Sequence, residues 1–403
     1  MKRMRIMHAI STLLCAVVLF TSIPMPAAAL SSSKNNGNID TTALSFAAEE
    51  GALSLECKSA VLMDASTGTV LYAQNSDESL PPASVTKIMT LLLVMEAIDS
   101  GTLKLSDPIS VSANAASMGG SQVYLEEGET MSCEDMLKSV VISSANDAAV
   151  ALAEHVAGDI DTFVRRMNEK AAALGMQNTH FENATGLDDT AQNHLTSARD
   201  IAIMSRALIE HKTILNYSSL WMDSIRNGTF GLTNTNRLVR FYRGATGLKT
   251  GSTDKAGFCV SVTAERDGLS LICVIMGAEN RDIRNAQATR LLDWGFANYA
   301  AYTAPTSTPS PIAVLGGESD QCALQLTPFS CVVPKDQLSQ ITITQELKES
   351  ISAPIKAGTA VGRVVYRLGE NELGSAPITT SEDVPRVSFL TLWHRLLAGI
   401  LLR

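Results

Sequence analysis

Beyond its first five residues the chain has no block of lysine and arginine. It has no C-x-x-C pair, no cysteine–histidine cluster, and no H-E-x-x-H or comparable metal-ligand spacing. Each absence excludes a class of function. A formal net charge of −9 without a basic stretch argues against nucleic acid as a partner. Without thiols or histidines at ligand spacing there is no metal site, and no cofactor is implied. Disorder is excluded too, because 45% of the residues are apolar and only 18% charged. At 403 residues the chain exceeds one ordinary core, so two or three domains are expected.

Residues 1–29 read as a secretory signal peptide. Lys2, Arg3 and Arg5 are followed by an apolar run from Ile10 to Phe20 and by Ala27-Ala28-Ala29, an A-x-A cleavage site. Losing three cations takes the net charge from −9 to −12. The mature protein is expected outside the cytoplasm, where disulfides are permitted. Cys322 and Cys331 are the candidates to pair. Cys57, Cys133, Cys259 and Cys273 lie in apolar or helical runs and read as small buried hydrophobes.

Residues 30–50 are rich in Ser, Asn and Ala and read as a flexible lead. Residues 58–64 and 69–74 read as a hairpin turning at Ala65–Gly68. A nearly all-apolar helix follows from Ser84, with Gly101 just past its end. Ser132-Cys-Glu-Asp135 loosely matches a capping box before a helix to Ile142. The polar corner Ser143–Asp147 separates it from a helix over Ala148–Ala157. Further helices are predicted over Asp161–Leu174, Ser197–His211 and Asn285–Tyr299, with residues 212–243 irregular. Phe258–Glu265 and Leu269–Met276 are strongly β-like, joined by Arg266-Asp267-Gly268. Strands at both ends with helices between predict an antiparallel sheet packed on a helical block, an α+β arrangement.

Ala304–Pro311 is a Pro/Ser/Thr linker, and residues 312–382 alternate short β runs with Pro/Gly turns, a small all-β domain. Val384–Arg403 forms an amphipathic helix whose apolar residues cover most of its circumference. His394-Arg395 at its middle disfavours a spanning helix. It either lies in a membrane surface or packs on the β domain, and the large apolar face of an exported chain favours the membrane. The expected division is 1–29, 30–50, a catalytic domain 51–303, a β domain 304–383 and the terminal helix 384–403.

Three short motifs stand in order. Ser84-Val-Thr-Lys87 places a serine and a lysine on one helix face, where a desolvated lysine can take the hydroxyl proton. Taken alone, Ser84 at a helix start reads as a helix cap. Ser144-Ala-Asn146 sits in the polar corner, and Asn146 is either a cap or a site residue. Lys249-Thr250-Gly251 precedes the β-rich end. S-x-x-K, S-x-N and K-T-G in this order are the element set of β-lactamases and penicillin-binding proteins.

With Pro82-Ala-Ser-Val-Thr-Lys87 and Lys249-Thr-Gly-Ser-Thr-Asp-Lys-Ala-Gly257, residues 50–383 resemble the low-molecular-mass penicillin-binding proteins, serine-type D-alanyl-D-alanine carboxypeptidases. The resemblance implies a β-lactamase/transpeptidase-like catalytic domain acting on peptidoglycan stem peptides that end in D-Ala-D-Ala. It also implies acylation by β-lactam antibiotics at the extracytoplasmic face of the membrane. In that reading Ser84 is nucleophile, Lys87 general base, and Ser144 a proton relay. Asn146 bonds the substrate backbone or holds Lys87. Lys249 and Thr250 recognise the substrate carboxylate, and Gly251 permits close approach. The backbone N–H groups of Ser84 and Ser252 form the oxyanion hole, each such donor being worth roughly 3–4 kcal/mol. Arg284 resembles a family arginine near the carboxylate, although a solvated arginine at a helix start reads equally well. Glu182-Asn183 does not match the glutamate motif of class A β-lactamases, so slow release of penicillin is expected. The alternatives are a β-lactamase and a non-catalytic, penicillin-recognising wall protein.

Overall fold

A computed structural model describes residues 53–401 except 190 and 306. The leader, the lead segment and the last two residues lie outside them. The first strands are β1 (Ser59–Asp64) and β2 (Val70–Gln74). The helices that follow are α1 (Lys87–Asp99), α2 (Cys133–Ser143), α3 (Asn146–Ala157), α4 (Ile160–Ala173) and α5 (Ala198–Glu210). Strands β3 (Ala245–Thr253), β4 (Gly257–Arg266) and β5 (Leu269–Ala278) return the chain to the sheet before α6 (Arg281–Asn298). The five strands pair antiparallel in the order β2-β1-β5-β4-β3, so β1 at the start pairs with β5 near the end.

The sheet is covered on both faces. Val61, Met63, Ile272, Val274 and Met276 face α1–α5 in one core. Ala60, Leu62, Leu271, Cys273 and Ile275 face Ala288, Leu291 and Leu292 of α6 in another. Burial on both faces explains why Leu271–Met276 is continuously apolar rather than alternating. The body of α1 is buried from Lys87 to Met95, as its lack of a polar face requires.

Local side chains set the helix starts. Ser132 Oγ accepts from Asp135 N–H at 3.1 Å, and Ser197 Oγ likewise accepts from Asp200 N–H. Asn280 Oδ1 accepts from the N–H groups of Asp282 and Ile283, so α6 starts at Arg281, four residues before the predicted start. Its predicted last residue, Tyr299, instead begins β6 (Tyr299–Thr303), which pairs with Ser330–Pro334 of the β-rich end. Residues 212–243 are not wholly irregular. They hold the hairpin Met222–Ile225 with Phe230–Thr233 and two one-turn helices.

The C-terminal β domain has its own core, including Phe329 stacked on Tyr366 at 4.0 Å. Its four-stranded sheet runs 324–326, 371–380, 360–368, 341–347. Val384 is buried there and bridges Ile355. Cys322 and Cys331, the candidates to pair, are both buried free thiols. Last comes α7 (Phe389–Leu401), whose Phe389, Leu390, Leu392, Trp393 and Leu396 are exposed. The alternative of a helix packed on the β domain is therefore wrong for these side chains.

Candidate active site

Ser84 lies in a 3-10 turn, Ala83–Thr86, that leads into α1, rather than at the first residue of the α-helix itself. Among the described residues no side-chain capping bond is found at the start of this turn or of α1. Lys87 Nζ is 2.9 Å from Ser84 Oγ and donates to the Thr185 carbonyl at 2.8 Å. Lys87 is fully buried. Burial holds its ammonium well below the usual lysine range, the charge of Lys249 adds to this, and Asp147 opposes it. The shift favours the neutral amine, the form that can accept a proton.

The corner between α2 and α3 brings the second motif to the same place. Ser144 ends α2 in the left-handed conformation, φ 64°, and lines the cavity containing Ser84. Asn146 Nδ2 donates to the Gly119 carbonyl at 2.6 Å, whereas Oδ1 is buried with no partner among the described residues. No Asn146–Lys87 hydrogen bond is found among the described residues, and Asn146 is not among the residues that line the cavity. The next residue, Asp147, is buried and accepts from the N–H groups of Val123, Leu125 and Ala148, which fixes the loop opposite the corner.

Strand β3, at the sheet edge, carries the third motif. Lys249 is buried and donates to the Thr250 carbonyl at 3.0 Å. Burial and the neighbouring Arg284 bring its pKa down to about 7. Thr250 Oγ1 donates to Thr235 Oγ1 at 2.8 Å. At Gly251 a Cβ would stand 2.7 Å from Ser84 N, so only glycine lets the edge strand lie against the serine turn. Ser252 continues the strand along the cavity. Arg284 is 3% exposed, inside α6, with Nη2 donating to Asn285 Oδ1 at 3.0 Å. The reading as a solvated arginine at a helix start is therefore wrong. Burial, then Arg281, lowers its pKa to about 10. The shared cavity of about 640 Å³ is lined by Ser84, Ser144, Thr235, Arg237, Thr250 and Arg284 among others, and by no carboxylate.

A nucleophile–base pair, a polar corner and a cationic edge strand around one cavity can perform acyl transfer on an anionic amide. Comparison with known proteins decides the lineage. Residues 45–280 match the family model described as D-alanyl-D-alanine carboxypeptidase, Peptidase_S11. Residues 306–386 match that of the penicillin-binding protein 5 C-terminal domain. The D-alanyl-D-alanine carboxypeptidase DacF of Bacillus subtilis is 38% identical, over 96% of this chain and 97% of the relative. This chain belongs to the D-alanyl-D-alanine carboxypeptidase family. DacC of Escherichia coli is 34% identical over 85% of the chain and 88% of that protein. Penicillin-binding protein 5 of Haemophilus influenzae superposes with a TM-score of 0.72 at 30% identity, covering 83% of this chain and 99% of that one.

The structure adds residues of this family member that the motifs do not announce. The Thr185 carbonyl holds Lys87. Thr235 holds Thr250. Gly186, at φ +83°, lies against the Ala83 carbonyl, where any Cβ would collide. His194 Nε2 is 2.8 Å from Thr86 Oγ1. All but Thr235 come from the loop at 176–196, where only Thr185-Gly186 offers a turn signal in the sequence.

Proposed function

We propose that this D-alanyl-D-alanine carboxypeptidase removes the terminal D-alanine of peptidoglycan stem peptides through an ester on Ser84. The observation that carries the reading is the 2.9 Å approach of Ser84 Oγ to a buried Lys87. In its neutral form Lys87 accepts the hydroxyl proton as Oγ attacks the carbonyl of the penultimate D-Ala. The developing oxyanion is met by the N–H groups of Ser84 and Ser252. The C–N bond then breaks, and the leaving amine takes a proton through Ser144. Lys249, Thr250 and Arg284 receive the terminal carboxylate. Asn146 Oδ1 accepts from the peptide backbone. Water hydrolyses the ester with Lys87 again as base, and the peptide leaves one residue shorter. A β-lactam acylates Ser84 in the same way, but its opened ring stays attached and the ester persists.

The β-lactamase alternative is disfavoured. The Glu182 side chain is exposed, and its carboxylate accepts from Gln192 and Asn193 N–H groups, away from the role of a buried base for water. The intact trio argues against a non-catalytic wall protein. We further propose export by residues 1–29, a catalytic domain at 51–303, a β domain at 304–383, and a terminal helix within 384–403. The apolar face of α7 supports a place on the extracytoplasmic membrane surface.

Release of D-alanine from diacetyl-Lys-D-Ala-D-Ala tests the activity. Ser84→Ala is expected to abolish it together with labelling by fluorescent penicillin, while thermal unfolding stays cooperative. Labelling that persists in the variant refutes the nucleophile assignment.

A further inference from the structure

The turn that carries Ser84 begins at a residue in an unfavourable conformation. Ala83 has φ +48°, a region that residues with a side chain seldom occupy. Three contacts hold it there. Leu80 exchanges both backbone hydrogen bonds with Thr196, at 2.8 and 3.0 Å. Thr86 Oγ1 donates to the Ala83 carbonyl at 2.9 Å. Gly186 lies against that same carbonyl with no room for a side chain.

The direction of the Thr86 hydroxyl is decided by His194. The Glu182 backbone N–H donates to His194 Nδ1 at 2.9 Å, so Nδ1 carries no hydrogen. The ring proton is then on Nε2, 2.8 Å from Thr86 Oγ1, and the imidazole donates there. With that lone pair occupied, the Thr86 hydrogen turns to the Ala83 carbonyl. His194 and Thr86 are both buried, and Phe181 packs edge-on against the ring at 5.6 Å. The same loop supplies the Thr185 carbonyl to Lys87 and the Ala184 carbonyl to Thr90. The charged groups facing the imidazole are Glu182 and Asp188, which favour its protonation, and His180, which opposes it. Burial outweighs them and keeps the ring neutral, with its pKa lowered to about 4.

We propose that His194 is a positioning residue for acylation: as the Nε2–H tautomer it orients the Thr86 hydroxyl onto the Ala83 carbonyl and so holds the Ser84 turn against Lys87. The chain of contacts runs Glu182 N–H, His194, Thr86, Ala83 carbonyl, with Ser84 the next residue. The inference rests on the reading of Ser84 and Lys87 as nucleophile and base. It adds that the loop at 182–194 sets their distance through side chains that never touch substrate.

The test is stopped-flow acylation of the full chain by fluorescent penicillin, which separates non-covalent binding from the chemical step. Thr86→Val is expected to slow the chemical step about tenfold to a hundredfold with binding nearly unchanged, because small displacements of a nucleophile cost rates of that size. Thr86→Ser keeps the hydroxyl and is expected to stay within about threefold of wild type. His194→Gln can donate to Thr86 and retains most of the rate, whereas His194→Leu falls with Thr86→Val. The double variant Thr86→Val/His194→Leu is expected to be no slower than the worse single one, because both break the same chain.

Wild-type rates in folded His194→Leu, or losses that multiply in the double variant, overturn the proposal. If His194→Leu does not fold, the Thr86 pair decides: equal rates for Val and Ser overturn it. A merely structural role lowers the unfolding temperature and leaves the chemical step of the folded protein intact. Persistent labelling of Ser84→Ala would instead bring down the underlying site reading, so the two failures are distinguishable.

Discussion

Gly251 and Ser84 are in backbone contact: a Cβ on Gly251 would stand 2.7 Å from Ser84 N and 2.9 Å from Pro82 O and Val85 N. The sheet edge and the nucleophile turn therefore form one surface. The atoms in the way are all backbone and cannot swing aside.

Gly251→Ala should push the edge strand from the serine turn and widen the proposed oxyanion hole between Ser84 and Ser252. Acylation by fluorescent penicillin should fall about a hundredfold, the scale of losing one oxyanion donor. Thermal unfolding should remain cooperative. An alanine variant that acylates at the wild-type rate would show that strand position does not matter.

Two lysines act in opposite directions on the pH dependence of kcat/KM for D-Ala release. Lys87, held well below the usual lysine range, must be neutral, so the rate rises with pH through its titration. Lys249, at about 7, must be charged to receive the carboxylate, so the rate falls as pH rises above that value. Lys249→Arg should move the alkaline limb upward and leave the acid limb in place. An unmoved alkaline limb assigns it to another group.

Lys249 also has a stability consequence. Its folded pKa is lower than its unfolded one, so between about 7 and the ordinary lysine value the unfolded chain binds more protons. Stability from this group therefore rises with pH across that window, and the cost of burying its charge is fully present below it. Relative to Lys249→Met, wild type should be less stable at pH 6 and should gain on the variant by pH 10. Urea unfolding of the pair at pH 6 and pH 10 measures the gap.

Arg284 is buried yet lines the cavity, and its charge reaches Lys249. Arg284→Gln should raise KM for the peptide about tenfold and change kcat less, as expected of a group that binds ground and transition states alike. An unchanged KM would remove Arg284 from substrate recognition.

Truncation can separate the terminal helix from the β domain only if it respects Val384, which is buried and bridged to Ile355. A chain ending at Val387 should keep its unfolding temperature within a few degrees and lose binding to sedimented anionic vesicles. Binding that survives would place the membrane contact elsewhere.

Much of this arrangement was legible in the chain itself. The three motifs, the apolar body of α1, the β4–β5 hairpin and the β-rich end each follow from side-chain type and period, which act over a few residues. Local signals also misplaced some ends. Asn280 starts α6 four residues early because its side chain reaches two N–H groups, and Tyr299 leaves the helix because strand pairing with Ser330–Pro334 competes for its backbone.

Sequence alone determined which groups are available: a serine three residues before a lysine, a Ser-x-Asn corner, and a Lys-Thr-Gly strand. Only the tertiary structure decided their state. Burial of Lys87 beside Lys249 disfavours its charged form, and Thr185 and Thr235, from distant segments, hold Lys87 and Thr250. Arg284, read from the sequence either as a site arginine or as a solvated one at a helix start, is buried and lines the cavity. The physical reason is range: helix and strand periods are set by neighbours along the chain. Desolvation, charge coupling and the 2.9 Å Ser84–Lys87 approach depend on atoms that folding alone brings together.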